Sequence, residues 1–216
     1  MSNVTNASPG PALGLAGTVQ AEPLDERQVA ELVRAYQRLR PIRRACAFAR
    51  FGGWTTGVFA GLSLLFCITG SVVALVMALG LTVVAFNEFR GGALLRRLSP
   101  AGAILLACNQ AGFGLMLMAY AAWMLIATIG APTVASQLAV ADPEMAAMIE
   151  SLERLARVLV YGGVAAVGLI VPGLTAIYYL SRGGHIRRYH RDTPAWARQA
   201  LERIMFGGST PRRARP

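Results

Sequence analysis

Residues 52–86 read GGWTTGVFAGLSLLFCITGSVVALVMALGLTVVAF and contain no charged side chain. A single helix of this length would extend over about 50 Å at about 1.5 Å per residue, whereas the hydrocarbon core of a bilayer is about 30 Å thick. Thr69-Gly70-Ser71 is the cluster of turn-forming residues nearest the middle. The stretch therefore predicts two membrane spans, about residues 53–68 and 72–86, joined by a tight turn.

The whole chain is apolar, with 216 residues of which 55% are hydrophobic and 15% charged, and a mean hydropathy of +0.47. Such a composition is unlike that of a soluble domain. Two further apolar segments, about residues 103–129 and 158–180, predict a third and a fourth span. The predicted fold class is an all-α integral membrane protein whose transmembrane domain, residues 51–180, has four helices in two antiparallel hairpins.

The segments before the first span are expected outside the bilayer. Residues 1–22 are rich in Gly, Pro, Ser and Asn and lack the charged start of a signal peptide, which predicts a disordered tail that the chain keeps. Residues 23–50 predict an amphipathic helix at the cytoplasmic membrane surface, with Asp25 as its N-cap. Pro41 is expected to bend or interrupt this helix.

The later connections differ in charge. The segment 130–153 is acidic, and Asp142-Pro143-Glu144 has the composition of a helix start, so an outer surface helix is expected there. Residues 181–216 form an Arg-rich tail, in which Thr193-Pro194 is expected to cap and start an amphipathic helix over 194–206. The architecture thus has amphipathic interfacial helices at both ends.

All 21 basic residues are arginine. Seven precede the first span, three lie in residues 87–100 and nine follow the fourth span, whereas Arg154 and Arg157 lie between spans three and four. Because basic segments that flank spans normally remain in the cytoplasm, this distribution predicts an even number of spans and cytoplasmic termini. Exclusive use of arginine is typical of a GC-rich bacterial genome, so the predicted location is the bacterial inner membrane.

The net charge of +10 bears on partners. Arginines beside membrane spans favour anionic lipid over nucleic acid, and no nucleic-acid partner is expected. A second copy of the chain or another membrane protein is the further partner considered.

Few polar residues fall inside the predicted spans. Asn109 and Gln110 predict an interhelical hydrogen bond, with a substrate or ion contact as the alternative. Gly53, Gly57 and Gly61 are four residues apart and predict a face where two helices pack closely. Glu88 is expected to form a surface ion pair at the inner boundary, and no Asp, Glu, Lys or Arg lies buried in the middle of a predicted span.

No catalytic, cofactor or metal site is predicted, since His185 and His190 lie five apart with no thiol or acidic ligand near them in a metal-binding spacing. Three function classes follow: a structural or accessory membrane component, an oligomeric small-solute transporter or channel, and a lipid-modifying enzyme. The first is preferred. The enzyme is the weakest because no pair of catalytic residues lies at the headgroups.

Overall fold

The computed structural model of the chain describes residues 24–127, 135–136 and 142–206. Within these residues no strand is present, and the bounds of the long helices are α1 Glu26–Phe66, α2 Val72–Arg96, α3 Pro100–Ala127, α4 Pro143–Asp192 and α5 Ala195–Phe206. Among them α2, α3 and α4 are long and apolar enough to cross a membrane. The protein is therefore all-helical, with three candidate membrane spans. The tail predicted at residues 1–22 and much of the connection after α3 lie outside the described residues.

Helix α1 is one continuous helix of 41 residues. Asp25 is its N-cap, and the side chain of Gln28 accepts the Asp25 backbone N–H at 3.1 Å. Pro41 lies inside the helix and does not interrupt it, although its ring removes one backbone hydrogen bond. The predicted surface segment 23–50 and the start of the uncharged stretch consequently belong to a single helix.

The chain reverses between α1 and α2 at the expected Thr69-Gly70-Ser71 cluster. A 3₁₀ turn, Cys67–Thr69, follows α1 and is ended by Gly70, whose φ of 77° is left-handed. Glycine adopts this conformation without the steric cost that other residues meet. Ser71 then caps α2, because its Oγ accepts the N–H of Ala74 at 3.3 Å.

The turn between α2 and α3 is held by α4. Leu98 has a φ of 54° and is buried, which is an uncommon conformation for a branched side chain. Its carbonyl accepts a hydrogen bond from Nε2 of His190 at 3.0 Å. Pro100 then begins α3, a position where its missing N–H has no helical partner to lose.

Helix α4 begins as predicted and ends differently. Oδ1 of Asp142 accepts the N–H of Met145 at 3.0 Å and Pro143 is the first helical residue, so the predicted helix start is confirmed. At the other end, Thr193 Oγ1 is buried without a hydrogen-bond partner. The prediction that Thr193 caps the last helix with its side chain is therefore wrong, since its hydroxyl lies in the protein interior.

The helices α2, α3 and α4 touch one another at glycines. A Cβ built on Gly102 in α3 would lie 2.8 Å from the backbone nitrogen of Leu95 in α2. A Cβ on Gly114 would lie 2.6 Å from the carbonyl oxygen of Gly168 in α4. The backbones of α2, α3 and α4 are thus in direct contact, an arrangement that only a residue without a side chain permits.

Substituting Gly114 by Ala tests this packing against a control on the same helix. Gly114→Ala forces α3 and α4 apart, so we expect the free energy of unfolding in detergent to fall by about 1–3 kcal/mol. Gly112 has open space around its Cβ position, so Gly112→Ala should leave stability unchanged or raise it. Equal losses in the two variants would contradict the packing.

Candidate functional site

Glu88 lies on the buried face of α2. The buried positions of that helix recur every three or four residues, at Ala78, Leu81, Val84, Ala85, Glu88, Gly91, Gly92 and Leu95. This is the spacing of one helix face, and Glu88 is 1% exposed. The prediction of a surface ion pair is therefore wrong, because the side chain of Glu88 lies inside the protein.

The carboxylate of Glu88 accepts hydrogen bonds from two other helices. Oε1 accepts from Nδ2 of Asn109 at 3.2 Å and from Nε2 of Gln110, both on α3. Oε2 accepts from the hydroxyl of Tyr179 on α4 at 3.4 Å. Nδ2 of Asn109 also donates to the carbonyl of Val84 at 3.0 Å. These four side chains, the Glu88 cluster, join α2 to α3 and α4.

Small residues of α1 complete the wall of the Glu88 cluster. A Cβ built on Gly52 would lie 3.6 Å from Oε2 of Glu88, and one built on Gly53 would lie 3.1 Å from the ring of Phe89. Further along α1 the helices diverge: a Cβ on Gly57 would have its nearest neighbour at 4.0 Å, and one on Gly61 none within that distance. Of the three glycines predicted as a packing face, Gly53 thus lies at the tight contact.

Aromatic rings hold Tyr179 in place on its other side. The ring of Phe48 on α1 lies 6.2 Å from that of Tyr179 and 5.8 Å from that of Tyr178. The guanidinium of Arg182 lies 4.4 Å from the centre of the Tyr178 ring, a distance at which cations are attracted to aromatic faces. Packing of this kind fixes the orientation of the Tyr179 hydroxyl toward Glu88.

Arginine-bearing segments of α1, the α2–α3 turn, the end of α4 and α5 lie together beside the Glu88 cluster. Nη1 of Arg38 on α1 donates to the backbone carbonyl of Asp192 at 2.6 Å. Arg198 on α5 contacts Nδ1 of His190 at 3.0 Å, and His190 in turn contacts the α2–α3 turn. We call this region, formed by residues 26–50, 90–98 and 182–204, the basic end.

A cleft of about 840 Å³ opens at the basic end between α1, α2 and α5 and reaches Glu88. Arg43, Arg50 and Arg96 line it together with apolar side chains. Among the described residues no group of three or more His, Cys, Asp or Glu side chains could hold a metal ion. The site offers hydrogen bonding and charge, from the interior carboxylate of Glu88 and from the three arginines of the cleft.

Sequence reasoning singled out Asn109 and Gln110 because amides stand out in an apolar segment, and the structure brings both to Glu88. The position of Glu88 near the end of the predicted span suggests the surface, whereas its place on the helix puts it on the buried face of α2. Its spacing from Leu81, Val84 and Leu95 carried the missing signal. For Tyr179 nothing in the local pattern distinguishes it from other aromatic residues.

Comparison of the chain with protein-family models, curated proteins and solved structures finds no match. Fold and site alone define its class. It is an all-helical chain with three helices long and apolar enough to span a membrane, joined by hydrogen bonds to a buried carboxylate.

Replacing Glu88 removes the shared acceptor of three donors. We expect Glu88→Leu to lower the free energy of unfolding in detergent by about 1–3 kcal/mol, because buried donors are left unsatisfied. Glu150 is the control, since it makes an exposed ion pair with Arg154 and Glu150→Leu should cost no more than about 1 kcal/mol. Stability that is equally affected by the two substitutions would contradict the role given to the cluster.

Proposed function

We propose that the chain is a four-span protein of the bacterial inner membrane, with cytoplasmic termini, that acts as a structural or accessory component of a membrane protein assembly. The fourth span in this proposal is the second half of α1, from Gly52 to Phe66, which is uncharged. It is shorter than the other spans, a mismatch that local thinning of the bilayer accommodates.

The contacts at the basic end support the orientation. Arg38 before the first proposed span, the turn at Leu98 and Asp192 after the last span are connected through hydrogen bonds. Segments that touch must lie on one side of the membrane, and an odd number of crossings would separate them. Since these segments carry most of the arginines, the side they share is the cytoplasmic one by the positive-inside rule.

The observation that carries the accessory role is the exposure of α4. In the most apolar 18-residue stretch of α4, 11% of the residues are buried, against 28% and 33% in those of α2 and α3. A stretch that its own chain covers so little leaves most of its surface to lipid or to another protein. Lipid alone places no demand on the spacing of side chains.

One face of the exposed surface of α4 combines regular spacing with glycine and alanine. Every member of one series on it is exposed and lies three or four residues from the next: Leu155, Leu159, Gly162, Ala166, Leu169, Gly173, Ile177 and Leu180. Heptad spacing of this kind lets two helices interdigitate, and small residues within it allow close approach. A Cβ on Gly162 or Gly173 would have no neighbour within 4 Å. We call this surface the α4 seam and propose that a partner helix packs on it.

Purification in mild detergent tests the proposal. A tagged chain should bring down one partner in a defined ratio, and Gly162→Phe combined with Gly173→Phe should remove it because bulk in the α4 seam prevents close helix packing. Val167→Phe with Val171→Phe adds bulk to another exposed part of α4 and should retain the partner. A homo-oligomer without a second protein, unaffected by either pair, would contradict the accessory role.

The second candidate is a small-solute transporter or channel, and Glu88 is the observation that favours it. An ionisable residue inside a membrane segment often marks a path for ions or substrate, and Glu88 borders the cleft. A homo-oligomer that carries solute into liposomes, and loses that flux with Glu88→Gln while remaining assembled, would favour this role.

A further inference from the structure

The cleft at the basic end combines two kinds of lining. Ala47, Phe89 and Ile204 form an apolar wall and are all exposed. Arg43 and Arg50 lie on α1, and Arg96 lies on α2. A site with apolar walls and a cluster of cations fits a ligand that has an acyl chain and an anionic head.

The arginines are arranged for such a head. Arg43 and Arg50 are seven residues apart on α1, which is two helical turns, so both lie on the face that borders the cleft. Nη1 of Arg43 donates to the hydroxyl of Tyr36 at 3.1 Å, and its guanidinium lies 5.8 Å from the centre of the Tyr36 ring. A guanidinium held in this way loses less conformational freedom when it binds phosphate.

The acidic residues of the cleft do not cancel this charge. Glu202 on α5 and Glu88 are the carboxylates in its lining, and both oxygens of Glu88 already accept hydrogen bonds from the Glu88 cluster. Hydrogen bonds from these neutral donors leave the charge of Glu88 unchanged but remove it as an acceptor for the arginines, and three arginines against two carboxylates give the lining a net charge of +1 (3 − 2). This positive charge favours an anion as the ligand of the cleft.

The volume and the location of the cleft favour a lipid over a free anion as its ligand. The volume of about 840 Å³ lies within the range of about 300–1,000 Å³ for small-molecule sites, far more than a phosphate ion fills. A free phosphate would also leave the apolar wall in contact with water. If the basic end lies at the cytoplasmic headgroups, as the proposed function has it, phospholipid is the anionic amphiphile present there.

We propose that the cleft binds one anionic phospholipid, with its phosphate at Arg43 and Arg50 and an acyl chain against Ala47, Phe89 and Ile204. Bidentate contacts between guanidinium groups and phosphate give the head its orientation. Burial of acyl methylene groups supplies the apolar contribution. This site differs from the diffuse attraction that any arginine near the membrane exerts on anionic lipid.

The test uses the full chain purified in a neutral detergent, with lipid binding followed by native mass spectrometry. Phosphatidylglycerol is the probe and phosphatidylcholine the reference lipid. Arg43→Gln with Arg50→Gln should weaken phosphatidylglycerol binding at least tenfold, which corresponds to about 1.4 kcal/mol. The matched control is Arg40→Gln with Arg44→Gln, two exposed arginines of α1 outside the cleft lining, and should change binding less than twofold.

A second variant addresses the apolar wall without changing charge. Ala47 lines the cleft and is exposed, so Ala47→Trp should fill the space of the acyl chain and weaken binding at least fivefold. Ala30→Trp, on an exposed position of α1 away from the cleft, should leave binding unchanged. These substitutions at exposed positions are compatible with folding, which the melting temperature of each variant verifies.

Two results would overturn the site: equal weakening by both arginine pairs, which means diffuse attraction, or equal affinity for phosphatidylcholine, which means that the arginines do not select the head. The binding assay in detergent requires neither a protein partner nor a defined orientation. A failure of the accessory role would therefore appear in the purification experiment and leave this measurement intact.

Discussion

The fold depends on hydrogen bonds to the polar groups that are buried between its helices. An acceptor buried there must find a donor within the protein, because an unsatisfied group costs several kcal/mol. Glu88 meets this requirement through Asn109, Gln110 and Tyr179, and in doing so fixes how far α3 and α4 slide past α2. These hydrogen bonds and the glycine contacts join α2, α3 and α4, and a cluster of buried apolar side chains that includes Leu39, Leu95 and Ile186 packs the helices together beside them.

The lengths of α1 and α4 determine where the remaining features lie. Helices of 41 and 50 residues extend over about 60 and 75 Å, well beyond a hydrocarbon thickness of about 30 Å. In the proposed four-span topology both helices therefore project from the bilayer. In that topology the projecting part of α1 carries Arg43 and Arg50, which line the cleft, whereas the middle of α4 lies in hydrocarbon and presents the α4 seam. The arginine-lined cleft and the α4 seam thus lie at different depths along the membrane normal in this topology.

Local chemistry made part of this fold predictable from sequence. Gly70 and Ser71 end one helix and start another through their own backbone and hydroxyl, and Asp142 caps α4 in the same manner. What depends on distant partners was missed. The side chain of Thr193 is buried and does not cap α5, and Pro41 lies inside α1 without interrupting it. The burial of Glu88 was accessible through the periodicity of α2, whereas its pairing with Tyr179, 91 residues away, required the tertiary structure.

Four crossings with the basic end in the cytoplasm are the claim on which the proposed roles rest. Its most direct test is labelling of intact cells with a membrane-impermeant maleimide, using single cysteines at position 137 or 209 in a chain whose Cys46, Cys67 and Cys108 are replaced by alanine. Gln137→Cys should react from outside, and Ser209→Cys should react only after the cells are permeabilised. Labelling of Ser209→Cys in intact cells, with or without Gln137→Cys, would contradict the account.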